Sequence, residues 1–177
     1  SLFESLEAAE GRLDFVVTSA GILREKPILE PSVQEFDHTI NINLRGSFLI
    51  AQAAARMMMK AQQGRIILIA SELAYLGRAE FSAYCASKAG VVGLTRALAR
   101  ELATNNTVNA MAPGPVDTPM LALENMTQAT IDKEFDVPLK RIAQPKEIAA
   151  LARFLCSEDA GYFTGQTLSP YGGAVMI

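Results

Sequence analysis

The segment Tyr84-Cys85-Ala86-Ser87-Lys88 puts a phenol and an ammonium four residues apart, which brings both to one face of a helix. An ammonium beside a phenol stabilises the phenolate and lowers a pKa that starts near about 10, toward the range useful for general acid–base work. Thirteen residues upstream, Ser71 closes the run Arg65-Ile66-Ile67-Leu68-Ile69-Ala70. Such a continuous apolar run marks a parallel strand buried on both faces, and the carboxyl ends of such strands are where open α/β sheets bind ligands. A hydroxyl there donates a hydrogen bond to a carbonyl oxygen while the phenol moves a proton. That is the chemistry of alcohol–carbonyl redox.

The elements that must position these groups alternate between strand and helix patterns. Asp14–Thr18 is a short apolar strand ending at Ser19-Ala20-Gly21. Ser32 and Glu35 have the spacing of a capping box, and Phe36, Ile40, Leu44, Phe48 and Ala51 continue at helical spacing to about Gln62. Ile66–Ile69 is the next strand. Phe81–Ala103 is helical, with Val91, Leu94, Leu98 and Leu102 as its apolar stripe. Val108–Ala112 is a strand stopped by Pro113-Gly114-Pro115, and Pro145 opens a helix through Leu155 with Glu147 in its first turn. Residues 116–138 form an irregular excursion, of which Pro119–Pro138 is expected to be a substrate lid whose Met120, Leu121, Leu123 and Met126 suit an apolar or mixed substrate. Thr164–Leu168 is a last strand. Strands alternating with long helices imply right-handed βαβ crossovers and an α/β fold with a parallel sheet covered on both faces.

The chain has 177 residues, half of them hydrophobic and a fifth charged, with a formal net charge of -3. One domain, residues 1–177, is expected. The charge balance argues against a nucleic-acid partner, and no apolar run is long enough for a membrane span. No signal-peptide pattern is visible, and Cys85 and Cys156 have no metal-like spacing, so no metal is expected and a cytoplasmic protein is the default.

Taken in order, these segments resemble the short-chain dehydrogenase/reductase family, of the type that includes 3-oxoacyl-acyl-carrier-protein reductases. Leu13–Gly21 resembles the family's LDxLVNNAG, Asn43–Phe48 its NLxGxF, Tyr84-x-x-x-Lys88 with Ser71 its catalytic set, and Val108–Met120 its VNAVxPGxVxTPM. The resemblance implies a Rossmann-like, doubly wound fold and an NAD- or NADP-dependent oxidoreductase interconverting a secondary alcohol and a ketone. It also implies a homotetramer in which the Ser32–Gln62 and Phe81–Ala103 helices pair. The first βαβ half, with its Gly-rich pyrophosphate turn, is absent ahead of Ala20, roughly a third of a family member. Of two readings, a half lying upstream in the natural protein is favoured over a true half-fold, because an apolar edge near Phe15–Val17 would otherwise lie open.

By resemblance, Tyr84 is the proton donor in reduction and the base in oxidation. Lys88 lowers the Tyr84 pKa and binds the nicotinamide ribose, and Ser71 polarises the carbonyl. Asn43, a poor helix former in mid-helix, is expected to hold a water linking Lys88 to solvent. Ala20 and Gly21 let the backbone approach the adenosine side of the cofactor. Pro113, Gly114, Val116 and Thr118 form the nicotinamide wall. Thr18-Ser19 replaces the family's Asn-Asn, so their hydroxyls are expected to remake the bonds that brace the loop. The alternative is a non-catalytic binding or assembly module of the same fold.

Overall fold

The computed structural model describes residues 2–174. In chain order the elements are α1 (Leu2–Glu10), β1 (Phe15–Thr18), α2 (Val33–Ile40), a π-helical turn (Asn41–Arg45), α3 (Gly46–Ala61), β2 (Gly64–Ile69), α4 (Leu73–Leu76), α5 (Ser82–Glu101), β3 (Asn106–Met111), α6 (Gln128–Glu134), α7 (Pro145–Cys156) and β4 (Thr167–Leu168). The four strands form one parallel sheet in the order β1-β2-β3-β4. Each crossover carries at least one helix, as parallel pairing requires. This is a Rossmann-like α/β arrangement.

One face of the sheet packs under α3 and α5. Ala51, Ala54 and Met58 from α3 and Val91, Val92 and Ala99 from α5 meet Ile66, Leu68, Val108 and Ala110 in a single apolar cluster. The other face is covered by α7, where Leu155, Leu151 and Ile148 pack on Ile67 and Met111. That second cover stops short of β1, whose Phe15 and Val17 remain 49% and 41% exposed. The expectation of a strand covered on both faces therefore holds for β2 and β3 but not for β1.

Local chemistry starts the helices where the sequence suggests. The Ser32 hydroxyl accepts from the Glu35 N–H while the Glu35 carboxylate accepts from the Ser32 N–H, satisfying two otherwise unpaired donors. Pro145 opens α7, and a Gln144–Glu147 box closes its first turn. The expected single helix through Gln62 is instead α2 and α3 joined by the π-helical turn, in which the Gly46 N–H reaches five residues back to the Asn41 carbonyl. The last strand is shorter than expected, covering only Thr167–Leu168. The excursion holds a 3-10 turn at Leu123–Asn125 and α6, and Val116 makes an isolated parallel bridge with Ala143.

Candidate active site

The carboxyl ends of β1, β2 and β3 open into one cleft of about 490 Å³, within the range of small-molecule and cofactor sites. Ser71, Tyr84 and Lys88 all line it, with Gly21 on one side and Pro113, Gly114, Val116 and Thr118 on the other. Of the ten residues singled out by the sequence, eight meet here. Asn43 lies behind the wall, and Ala20 is exposed outside it.

Ser71 lies between β2 and α4, where its hydroxyl oxygen accepts from the Leu73 N–H at 3.2 Å. That bond uses a lone pair and leaves the hydroxyl proton free to be donated into the cleft. Tyr84 stands in the first turn of α5, buried. Burial raises its pKa, the Ser71 hydroxyl pulls it down, and Cys85 and Glu72 push it up further. At neutral pH the phenol is therefore an O–H donor.

Lys88, one turn along α5, is 5% exposed, and burial lowers its pKa to about 8. Its Nζ donates to the Ile69 carbonyl at 2.8 Å and lies 5.6 Å from the centroid of the Tyr84 ring. The expected lowering of the phenol pKa by Lys88 is thus not realised in this geometry. The ammonium is turned to a backbone carbonyl, and desolvation dominates the phenol.

Asn43 is fully buried in the π-helical turn. Its Oδ1 accepts from the Ile22 N–H at 2.8 Å, and its Nδ2 donates to the Ile22 carbonyl at 2.9 Å and the Ser87 hydroxyl at 3.1 Å. Ser87 donates in turn to the Tyr84 carbonyl at 2.7 Å. The chain Ile22–Asn43–Ser87–Tyr84 ties the loop after β1 to α5. Sequence reasoning missed Ser87, although its place between Tyr84 and Lys88 was visible. The hydroxyls expected to brace this loop do not all do so: the Thr18 Oγ1 is buried with no partner among the described residues.

The excursion contributes Met120, Leu121 and Glu134 to the cleft, whereas Leu123 and Met126 do not line it. Arg78 also lines the cleft, donating from Nη1 to Glu134 Oε1 at 2.6 Å with its guanidinium 5.0 Å from the Phe81 ring centroid. No cluster of three His, Cys, Asp or Glu side chains among the described residues could hold a metal ion.

The residues present suit the nicotinamide end of a dinucleotide. A side chain at Gly21 would begin 3.3 Å from Asn43 Oδ1 and 3.7 Å from Lys88 Nζ, so glycine there leaves room beside the ammonium. Lys88 has three donors, of which Ile69 takes one. The Val116–Ala143 bridge uses the Pro115 carbonyl and the Asp117 N–H, leaving the Val116 N–H out of it. Thr118 Oγ1 donates to the Val116 carbonyl at 3.2 Å, which steadies the same turn.

Fold and site together define an NAD(P)-dependent oxidoreductase acting on a ketone or alcohol, and comparison with known proteins agrees. A family model described as Enoyl-(Acyl carrier protein) reductase matches residues 1–174. The 3-oxoacyl-acyl-carrier-protein reductase FabG of Vibrio cholerae is 40% identical over 168 residues, 94% of this chain and 68% of that protein. The enzyme of that name from Aquifex aeolicus is 38% identical over 172 residues, 97% of this chain and 69% of that protein. An acetoacetyl-CoA reductase of an Acinetobacter species is 41% identical over 171 residues, 96% of this chain and 68% of that protein. The chain belongs to the short-chain dehydrogenase/reductase family. The binding-module alternative finds no support among these relatives, all of which are named as reductases. No helix among the described residues is long and apolar enough to cross a membrane.

Proposed function

We propose that this protein reduces the ketone of a 3-oxoacyl thioester, with Ser71, Tyr84, Lys88 and Asn43 as its working residues. The observation that carries the reading is the meeting of the Ser71 hydroxyl, the Tyr84 phenol and the Lys88 ammonium at one cleft. The substrate class follows from the names of the relatives, two 3-oxoacyl-acyl-carrier-protein reductases and an acetoacetyl-CoA reductase.

The chemistry supplied by a bound nicotinamide, from NAD or NADP, is hydride transfer to or from the carbonyl carbon. Ser71 donates to the carbonyl oxygen, stabilising the charge that develops there. Tyr84, protonated in its buried setting, gives its proton to that oxygen in reduction and takes it back in oxidation. Lys88 turns its two unused donors to the ribose hydroxyls. Asn43, whose carbonyl accepts from the Ser47 hydroxyl at 2.7 Å, would hold a water between Lys88 and solvent. Gly21 and Ala20 let the cofactor pass close to the backbone. Pro113, Gly114, Val116 and Thr118 flank the nicotinamide, the Val116 N–H reading its carboxamide. Residues 119–138 act as the lid.

We further read the chain as one dinucleotide-binding and catalytic domain of a cytoplasmic homotetramer with no nucleic-acid partner. Phe36, Phe48 and Leu49, exposed on α2 and α3, supply apolar surface for subunit pairing. The decisive experiment on the chemistry is Y84F. Ketone reduction is expected to fall by about 10²–10⁴-fold, the usual contribution of a positioned acid–base group, while NADH or NADPH binding followed by nucleotide fluorescence persists. Near-wild-type turnover in Y84F would refute the assignment.

A further inference from the structure

Glu72 follows Ser71 directly and lines the cleft beside it, only 9% exposed. Its backbone N–H donates to the Pro113 carbonyl at 3.1 Å, and a side chain at Gly114 would begin 2.7 Å from Glu72 Oε2. The carboxyl is thus lodged between the end of β2 and the Pro113–Gly114 turn. Oε2 is buried and has no hydrogen-bond partner among the described residues. An unpaired buried oxygen of this kind is costly, and Glu72 lines the cleft, where a ligand would meet its carboxyl.

The surroundings decide which form of the carboxyl stands there. Glu134 of α6 faces it and is 6% exposed. The Arg78 guanidinium, whose charge acts on Glu72, already donates to Glu134 at 2.6 Å. Tyr84 of α5 and Tyr171 of the C-terminal segment also sense its charge, with Tyr75 of α4 beside Tyr171. Burial, then the Glu134 charge, raise the Glu72 pKa to about 7, against a smaller opposing pull from Arg78. Below that pH the group is a neutral acid with an O–H to donate and no acceptor for Oε2 among the described residues.

We propose that Glu72 is a specificity-determining residue, whose carboxyl donates a hydrogen bond to the second oxygen of a 1,3-dicarbonyl substrate while Ser71 and Tyr84 hold the first. In a 3-oxoacyl thioester that second oxygen belongs to the thioester, two bonds beyond the carbon next to the ketone. Ser71 and Glu72 are consecutive and both line the cleft, so one small molecule there can meet both side chains. The inference rests on the substrate class proposed above.

The test compares acetoacetyl-pantetheine with its thioether analogue, which keeps the ketone and lacks the thioester oxygen, as substrates of the cofactor-loaded enzyme. The preference in kcat/KM for the thioester is expected to fall about tenfold in E72L and to be retained in E72Q, whose amide still donates. In the wild type, KM for the thioester should rise as pH passes about 7 and the proton leaves; in E72Q it should stay level. An undiminished preference in E72L, an equal loss in E72Q, or a wild-type KM indifferent to pH overturns the proposal. If E72L does not fold, judged by thermal unfolding, E72Q and the pH profile decide. A wild type that turns over other ketones but not the thioester sinks the substrate class instead, and this inference with it.

Discussion

Asn43 spends its whole amide on the protein. Both backbone groups of Ile22 and the Ser87 hydroxyl bind it, and the residue is closed to solvent. N43A would leave the part-buried Ile22 N–H and carbonyl without this partner, and each unsatisfied group costs up to about 1–3 kcal/mol. A urea-unfolding midpoint should drop accordingly; a change below about 0.5 kcal/mol, typical of a surface substitution, would contradict the bracing role. The residue scale is also where spacing was most informative in advance. Tyr84, Lys88 and Ser71 were legible because helix periodicity and strand ends are local rules. Glu72 was passed over, since nothing in a sequence marks a glutamate as buried, unpaired and facing another glutamate sixty-two positions on.

Between elements, the tightest fit is α3 against β2. A side chain at Gly64 would begin 2.2 Å from Met58 Cγ, 2.3 Å from its Sδ and 2.6 Å from its Cβ, and Met58 is fully buried. Rotating the methionine relieves the first two contacts but not the one to Cβ, which moves only with the helix. G64A is therefore expected to destabilise the fold by about 1–3 kcal/mol, the range for overpacking, measurable by chemical denaturation. A neutral effect would mean that α3 shifts on the sheet at little cost. Helix starts were legible at this scale, as Ser32–Glu35 and Pro145–Glu147 show, because a cap is made within four residues. The π-helical turn at Asn41–Arg45 was not. It trades the regular bond pattern for one that presents Asn43 to Ile22 and Ser87, and those partners lie 21 and 44 residues away.

For the molecule as a whole, two buried ionisable groups in one cleft should write a pH signature into stability. The Glu72 pKa is raised from 4.5 to about 7, so the folded state binds the proton more tightly than the unfolded chain. Stability is fullest below 4.5 and declines as pH rises from there through 7. The Lys88 pKa is lowered from 10.5 to about 8, so between those values the unfolded chain holds more protons and stability climbs with pH. Melting temperatures of the cofactor-free protein, taken relative to E72Q, should fall between pH 4.5 and 7. Taken relative to K88M they should rise between pH 8 and 10.5. A flat difference in either window would show that the group concerned is better solvated than its burial indicates.

The amino-acid sequence determined what depends on near neighbours: the alternation of strands and helices, the caps, and the order and spacing of the motifs that carry the redox chemistry. Tertiary structure alone decided the pKa shifts of those groups and which face of the sheet is covered. Burial pushes the Tyr84 phenol pKa up and draws that of Lys88 down, and α7 covers β2 and β3 while Phe15 and Val17 of β1 stay open. The physical reason is the range of the forces. Periodicity and capping act over a turn or two of chain, whereas desolvation and charge act through space between segments that only folding brings together.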